Sequence, residues 1–384
     1  MSAPPEAVIV GTGRARYRRH PEVGSSTEQL LADAAAAAIQ AAGITHSDVD
    51  GLAVGSFSLV PDHAVDLAWK LGLRLGWVMD DHTGGAGAIN MLSHATRAVA
   101  AGDARVVLIL AGDLLTSVDF AALTSEFNAV TRDCLAPLNY GGPNGLFALL
   151  TQRHMQAHHL ERADYGGVAV AQRSWATENP EAVYRAPLSL ADYLSAPLVA
   201  DPLCRYDCVP IVAGADAILV AAPDVRFERP PVLVRAQATS FNTDDQQGDG
   251  LTTGLRDIAD ELWSRVEARP EDVDVISVYD DYTTMVLVQL ADLGFVPDGD
   301  LSAFVARELG ERRLPVNTSG GQLSAGQAGA GGSLHGLVEV VRQLAGGEGD
   351  RQLAGARLGV VAGYGMALYR YCGFANAVIL EATW

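Results

Sequence analysis

Val316 to Leu344 reads VNTSGGQLSAGQAGAGGSLHGLVEVVRQL, and this stretch decides the fold. The apolar residues that end at Val316 read as a short strand. A glycine-rich turn follows, and then a long helix. Backbone without side chains can approach a ligand closely there, and a helix N-terminus adds the positive end of its dipole.

The same unit occurs earlier in the chain. Gly84 to Ala101 (GGAGAINMLSHATRAVAA) is a glycine-rich turn into a helix, followed by the buried strand Arg105 to Gly112 (RVVLILAG). Gly320 to Leu344 is followed in the same way by Arg357 to Gly363 (RLGVVAG). Upstream of each copy the pattern extends. Thr27 to Gly43 is an amphipathic helix before SDVDGLAVGSF, and Gly254 to Arg269 is another before EDVDVISVYDD. Two copies of a strand–helix unit predict an α/β protein of two layered halves. The apolar runs AVIVG, VVLIL, AILVAA, VISV, LGVV and NAVIL predict buried strands.

The division this implies is 1–223 and 224–384, with Asp224 to Pro231 as the link. A long insertion spans about 114–202. It holds helices over Gly145 to His159 and Arg162 to Asn179, then Pro180, Pro187, Pro197 and Pro202. An insertion of this size on an α/β core is expected to shape a ligand tunnel.

Composition narrows the function. The chain has 384 residues, 49% of them hydrophobic, which is ample for a large core. A formal charge of −19 argues against nucleic acid, whose phosphates would be repelled. No stretch is long and apolar enough to span a membrane, and the start, MSAPPEAVIVGTG, lacks the pattern of a signal peptide. Cys134, Cys204, Cys208 and Cys372 form no CxxC pair, so neither a disulfide framework nor a zinc site is expected. A reduced, cytoplasmic chain is the expectation. His154, His158 and His159 lie on one helix without Asp or Cys at metal spacing, so no metal is expected there.

The stretch first quoted resembles the C-terminal signature of the thiolases, NxSGGxLSxGHPxGATG. Asn179 to Val220 and Val278 to Phe295 (VYDDYTTMVLVQLADLGF) resemble the lipid-transfer type of that superfamily. The resemblance spans nearly the whole chain and implies the thiolase fold, layered αβαβα. Thiolases need a nucleophilic Cys at a helix N-terminus, and here that position falls on Gly84 in HTGGAGAIN. The first catalytic His falls on Tyr279 and the second on Gln327. The second Cys would sit near Val360 or Val361; Cys372 reads as a core residue. The groups for Claisen chemistry are gone.

One branch shares this pattern. The steroid side-chain-cleaving aldolases lack the Cys and carry Tyr in place of the first His. The resemblance to them implies retro-aldol cleavage of a β-hydroxyacyl-CoA. It also implies a small OB-fold partner with a zinc ribbon. Those enzymes have a second Tyr where this chain has Gln327, so either Gln327 only binds or Tyr364 has taken that role. The candidate catalytic residues are therefore Tyr279, Gln327 and Tyr364. The candidate substrate-binding residues are His82, Gly84, Gly85, Asp281, Gly320 and Gly321. No cofactor is expected beyond the coenzyme A carried by the substrate.

Elementary chemistry gives each residue a role and an alternative. Retro-aldol cleavage needs a base for the hydroxyl proton and a group that stabilises the enolate. Tyr279 can move a proton if a neighbour tunes it, or it can be a core tyrosine. Gln327 can offer an amide N–H to the thioester oxygen, but it cannot act as a base. Tyr364, read as part of the last glycine-rich turn, either faces the pocket or packs. His82 either orients a thioester or stabilises a turn, and His335 reads as a packed or interface residue. A homodimer is expected, becoming a heterotetramer with the partner. The alternatives are a non-catalytic acyl-CoA-binding or scaffolding subunit, or an altered acyltransferase.

Overall fold

In a computed structural model, residues 7–61, 63–242, 250–366 and 373–384 are described, so Cys372 lies outside them. The expected apolar runs all form strands. One wing holds β1 (Val8–Arg18), β2 (Gly51–Gly55), β3 (Trp77–Asp81), β4 (Val106–Asp113) and, beyond a small hairpin, β7 (Ala213–Ala221). That hairpin is β5 (Leu198–Ala200) with β6 (Leu203–Cys204). The second wing holds β8 (Val232–Phe241), β9 (Val275–Val278), β10 (Leu358–Gly365) and β11 (Phe374–Ala382).

The two wings form one nine-stranded sheet in the order β3-β2-β4-β7-β1-β8-β11-β10-β9. Among the described residues, their strands pair with each other through Val8 opposite Leu233 and Ile9 opposite Val232. The order mirrors itself about that junction: β1 answers to β8, β7 to β11, β4 to β10 and β2 to β9. The counterpart of β3 is reduced to one parallel bridge, Ile276 to Val316, where the sequence suggested a strand.

Strands β4 and β7 are buried along their whole length, so both faces need cover. Helices α1 (Thr27–Ala42) and α2 (His63–Lys70) supply the outer layer, with Leu31, Ala35 and Leu67 packed on Leu52, Leu108 and Leu219. The start of α1 is fixed by Ser26, whose side chain accepts from the Gln29 N–H. Helix α3 (Gly87–Ala101) lies between the wings. It does so beside the last long helix, α12 (Gly332–Leu344), and Ile89, Leu92, Leu337 and Val341 share one buried cluster with Ile109 of the first wing and Val378 of the second. Helices α8 (Leu255–Ser264) and α9 (Thr283–Asp292) help to cover the second wing with Leu255, Ile258, Val286 and Leu290. The layers run αβαβα, as expected.

The insertion carries α4 (Ser117–Ser125), α5 (Gly142–His158), α6 (Arg162–Glu178) and α7 (Leu190–Ser195). Near the end of the chain come α10 (Leu301–Phe304) and α11 (Gly321–Ala325). The glycine-rich stretch is not one turn into one helix. It makes α11, breaks, and restarts as α12. The break holds Gly326 at φ 114° and Gly329 at φ 57°, conformations that favour glycine. A Cβ at Gly329 would stand 2.1 Å from Asp113 Oδ2. Asp113 closes the wings together there, accepting from Ser56, Ser58 and the Ala330 N–H.

Candidate active site

Tyr279 directly follows strand β9, which ends at Val278. Its N–H donates to the Ala362 carbonyl across the sheet, at 3.1 Å. Its carbonyl accepts from Gln289 Nε2 at 2.7 Å, and the same Gln289 nitrogen donates to Met285 within α9. A fully buried glutamine thus fixes the end of the strand to the next helix. The ring of Tyr279 reaches back to the break before α12, where Gln327 Nε2 donates to its hydroxyl oxygen at 2.8 Å. Gln327 is itself held by backbone bonds to Pro210 and Val212.

Tyr364 lies near the end of strand β10, not in a turn. Glycines flank it for a steric reason. A Cβ at Gly363 would lie 2.5 Å from the Gly85 carbonyl, and one at Gly365 would lie 1.9 Å from the Thr83 carbonyl. The strand therefore packs directly on the Gly84–Ala86 turn, and Tyr364 is presented beside Tyr279. The two rings meet edge to face, with centroids 5.5 Å apart. The Tyr364 hydroxyl donates to the Asp281 carboxylate.

These groups line a cavity of about 270 Å³. Of the residues singled out in the sequence, Gly84, Gly85, Tyr279, Asp281, Gln327 and Tyr364 line it. Three other expected residues do not. His82 is exposed and stands edge-on to His63. Gly320 is pressed against Ala176, and Gly321 makes room for the Asp280 carboxylate. Their small size serves packing. The rest of the wall comes from residues the sequence reading left unassigned. The insertion provides Phe120, Leu123, Phe127, Leu135, Leu146 and Phe147, and Phe57 faces Phe127 across the space. Tyr282 stacks on Phe147 with centroids 4.2 Å apart, and its hydroxyl donates to Asn144 at 2.8 Å. Aromatic and aliphatic residues before α5 were the available signal.

Burial governs the acid–base character. It pushes the Tyr279 phenol well up, helped by the Asp281 charge, although the Gln327 N–H works the other way. Tyr279 therefore keeps its proton at neutral pH. Burial raises the Asp281 carboxyl to about 7, the Tyr364 hydrogen bond opposing and the Asp280 charge assisting. Burial likewise brings Asp280 to about 7, against the N–H groups of Gln322 and Leu323, which bond it at 3.0 and 3.2 Å. Half-buried Cys208 also lines the cavity, with burial raising its thiol far from the thiolate range.

The two buried histidines, His335 and His154, are accounted for by packing. His335 bonds Ser319 at 2.7 Å and Arg14 at 3.2 Å, and burial followed by the Arg14 charge keeps it neutral. His154 bonds the Tyr165 hydroxyl at 2.8 Å.

The chain is similar to known proteins over most of its length. The family described as thiolase C-terminal domain-like matches residues 236–375. The 17-hydroxy-3-oxo-4-pregnene-20-carboxyl-CoA lyase of Mycobacterium tuberculosis is 32% identical over 89% of this chain and 92% of its own. The steroid side-chain-cleaving aldolase of Thermomonospora curvata is 29% identical over 89% and 91%. Among solved structures, the Ltp2-ChsH2(DUF35) aldolase superposes with a TM-score of 0.82 at 27% identity, covering 98% of each chain.

Proposed function

The chain belongs to the thiolase superfamily, in the branch of the steroid side-chain-cleaving aldolases, and from that we propose that it is a carbon–carbon lyase. It cleaves a β-hydroxyacyl-CoA with a bulky side chain by retro-aldol reaction, giving a carbonyl compound and a shorter acyl-CoA. The observation that carries this reading is the arrangement at Tyr279. A glycine pair stands where thiolases place their nucleophile, and a phenol held by Gln327 faces the same cavity.

The chemistry follows from the groups present. As the Cα–Cβ bond breaks, its electron pair moves onto the thioester as an enolate. Tyr279, which keeps its proton at neutral pH, delivers that proton to Cα. The Gln327 N–H stabilises the phenolate left behind. The aromatic wall from the insertion suits a large apolar side chain, as in a steroid.

The assembly belongs to the same proposal. The chain forms a homodimer and works with an OB-fold, zinc-ribbon partner in a heterotetramer. The pairing of Ltp2 with ChsH2(DUF35) in the similar structure supports a partner of this kind. The test is incubation of the purified chain, alone and with its partner, with 17-hydroxy-3-oxo-4-pregnene-20-carboxyl-CoA. Stoichiometric ketone and shorter acyl-CoA support the lyase. Binding without cleavage under both conditions makes it a non-catalytic acyl-CoA-binding subunit.

A further inference from the structure

We propose that Asp281 accepts and holds the β-hydroxyl proton and that Tyr364 relays the proton to it. This rests on the lyase reading above and goes beyond it, because that reading leaves the hydroxyl proton without a destination. Tyr279 cannot take it while holding its own proton, and Gln327 has no basic site.

The geometry supplies a route. Tyr364 and Asp281 both line the cavity, and the Tyr364 O–H is already directed at the carboxylate. When the Tyr364 oxygen accepts the substrate proton, its own proton passes to Asp281. One O–H bond forms on Tyr364 as another breaks, and the carboxylate becomes a carboxylic acid. The β-oxygen becomes a carbonyl as the Cα–Cβ pair leaves for the thioester. Tyr279 then protonates Cα. The proton stored on Asp281 returns to the Tyr279 phenolate, whose ring lies 5.5 Å from that of Tyr364. Protons and electrons balance without an added reagent.

Asp281 differs from its neighbour in this respect. Asp280 is bound by backbone N–H groups and faces Gly321, away from the cavity. Among the described residues, the titratable groups facing Asp281 are Asp280, Tyr279, Tyr282, Tyr364 and Cys208. The tyrosines and the cysteine are all held protonated at neutral pH, so the carboxylates are the groups that ionise there. The acceptor must be deprotonated to act. Turnover should therefore rise as pH rises through about 7 and fall as the carboxyl protonates below it.

The experiment compares wild type, Asp281→Asn and Tyr364→Phe on the same pregnene-carboxyl-CoA thioester, with the partner present, across pH about 5 to 9. Asparagine keeps the size of the residue and an oxygen to accept from Tyr364. The expected result is a fall in kcat of about 10²–10⁴-fold for each variant, with KM unchanged. The inflection near neutral pH should vanish in Asp281→Asn, and the double variant should fall no further. Should Asp281→Asn not fold, Tyr364→Phe alone decides, since it removes the relay and keeps the ring. Variants with wild-type rates and an intact inflection overturn this inference while leaving the lyase reading standing. A wild type that cleaves no thioester overturns both.

Discussion

The ring of Tyr279 occupies the space that a side chain at Gly85 would need. A Cβ added at Gly85 would lie 2.7 Å from that ring and 2.3 Å from the Tyr364 carbonyl oxygen. The glycine and the tyrosine are one packing solution.

Gly85→Ala should therefore damage both stability and function. The backbone carbonyl of Tyr364 cannot move without shifting β10, so overpacking should cost about 1–3 kcal/mol. Turnover should fall as the Tyr279 ring is displaced. Chemical denaturation and the thioester assay measure the two effects, and an alanine variant with wild-type stability would contradict this account of the turn.

Gln327→Ala removes the N–H that holds the Tyr279 hydroxyl. The loss should be about 1–3 kcal/mol of phenolate or enolate stabilisation, read as a reduced kcat/KM. The pH inflection near neutrality should persist, because Asp281 remains. A larger loss that also removed the inflection would assign Gln327 a part in the proton path.

No cysteine should carry an acyl group. Of the described thiols, Cys134 is exposed and should be alkylated first, without loss of turnover. Burial holds the Cys204 thiol up at about 11 and raises Cys208 further, so both should react slowly at neutral pH. Cys208 lines the cavity, so its alkylation would block the site, whereas Cys208→Ala should turn over normally. Mass spectrometry that trapped an acyl group on any thiol would refute the mechanism.

The chain should dimerise along β3. That strand is the edge of the sheet, and Val78 on it, with Val65 and Trp69 on the neighbouring α2, is exposed. Pairing two copies across a two-fold axis would cover this edge. Val78→Lys should shift the chain towards monomer in light scattering. A wild type that is monomeric at micromolar concentration would sink the proposal.

Much of the fold was legible because it is repeated and apolar. VVLIL, AILVAA and NAVIL are strands buried on both faces, and such strands read as continuous runs. Strand β8 was missed because VLVRAQATSF mixes exposed and buried positions. The break between α11 and α12 was missed because the glycines that cause it also suit a helix start. At the site, Tyr279, Gln327 and the Gly84–Gly85 pair were found through their resemblance to a known signature. Tyr364 was placed in a turn, since two glycines usually mean one, when they actually allow a strand to touch a neighbouring turn. His82, Gly320 and Gly321 lie in the same glycine-rich stretches as site residues yet pack elsewhere. The Asp281–Tyr364 pair joins residues 83 positions apart, which no local pattern reveals.

This thiolase-fold cavity should break a carbon–carbon bond with a phenol and no thiolate. Single-turnover release of acyl-CoA from the pregnene-carboxyl-CoA thioester, by wild type and Tyr279→Phe with the partner present, tests it most directly. Phenylalanine keeps the ring that packs on Gly85 and removes the proton. The variant should fold, and its rate should fall by about 10²–10⁴-fold. A Tyr279→Phe protein that cleaves the thioester at the wild-type rate would contradict it.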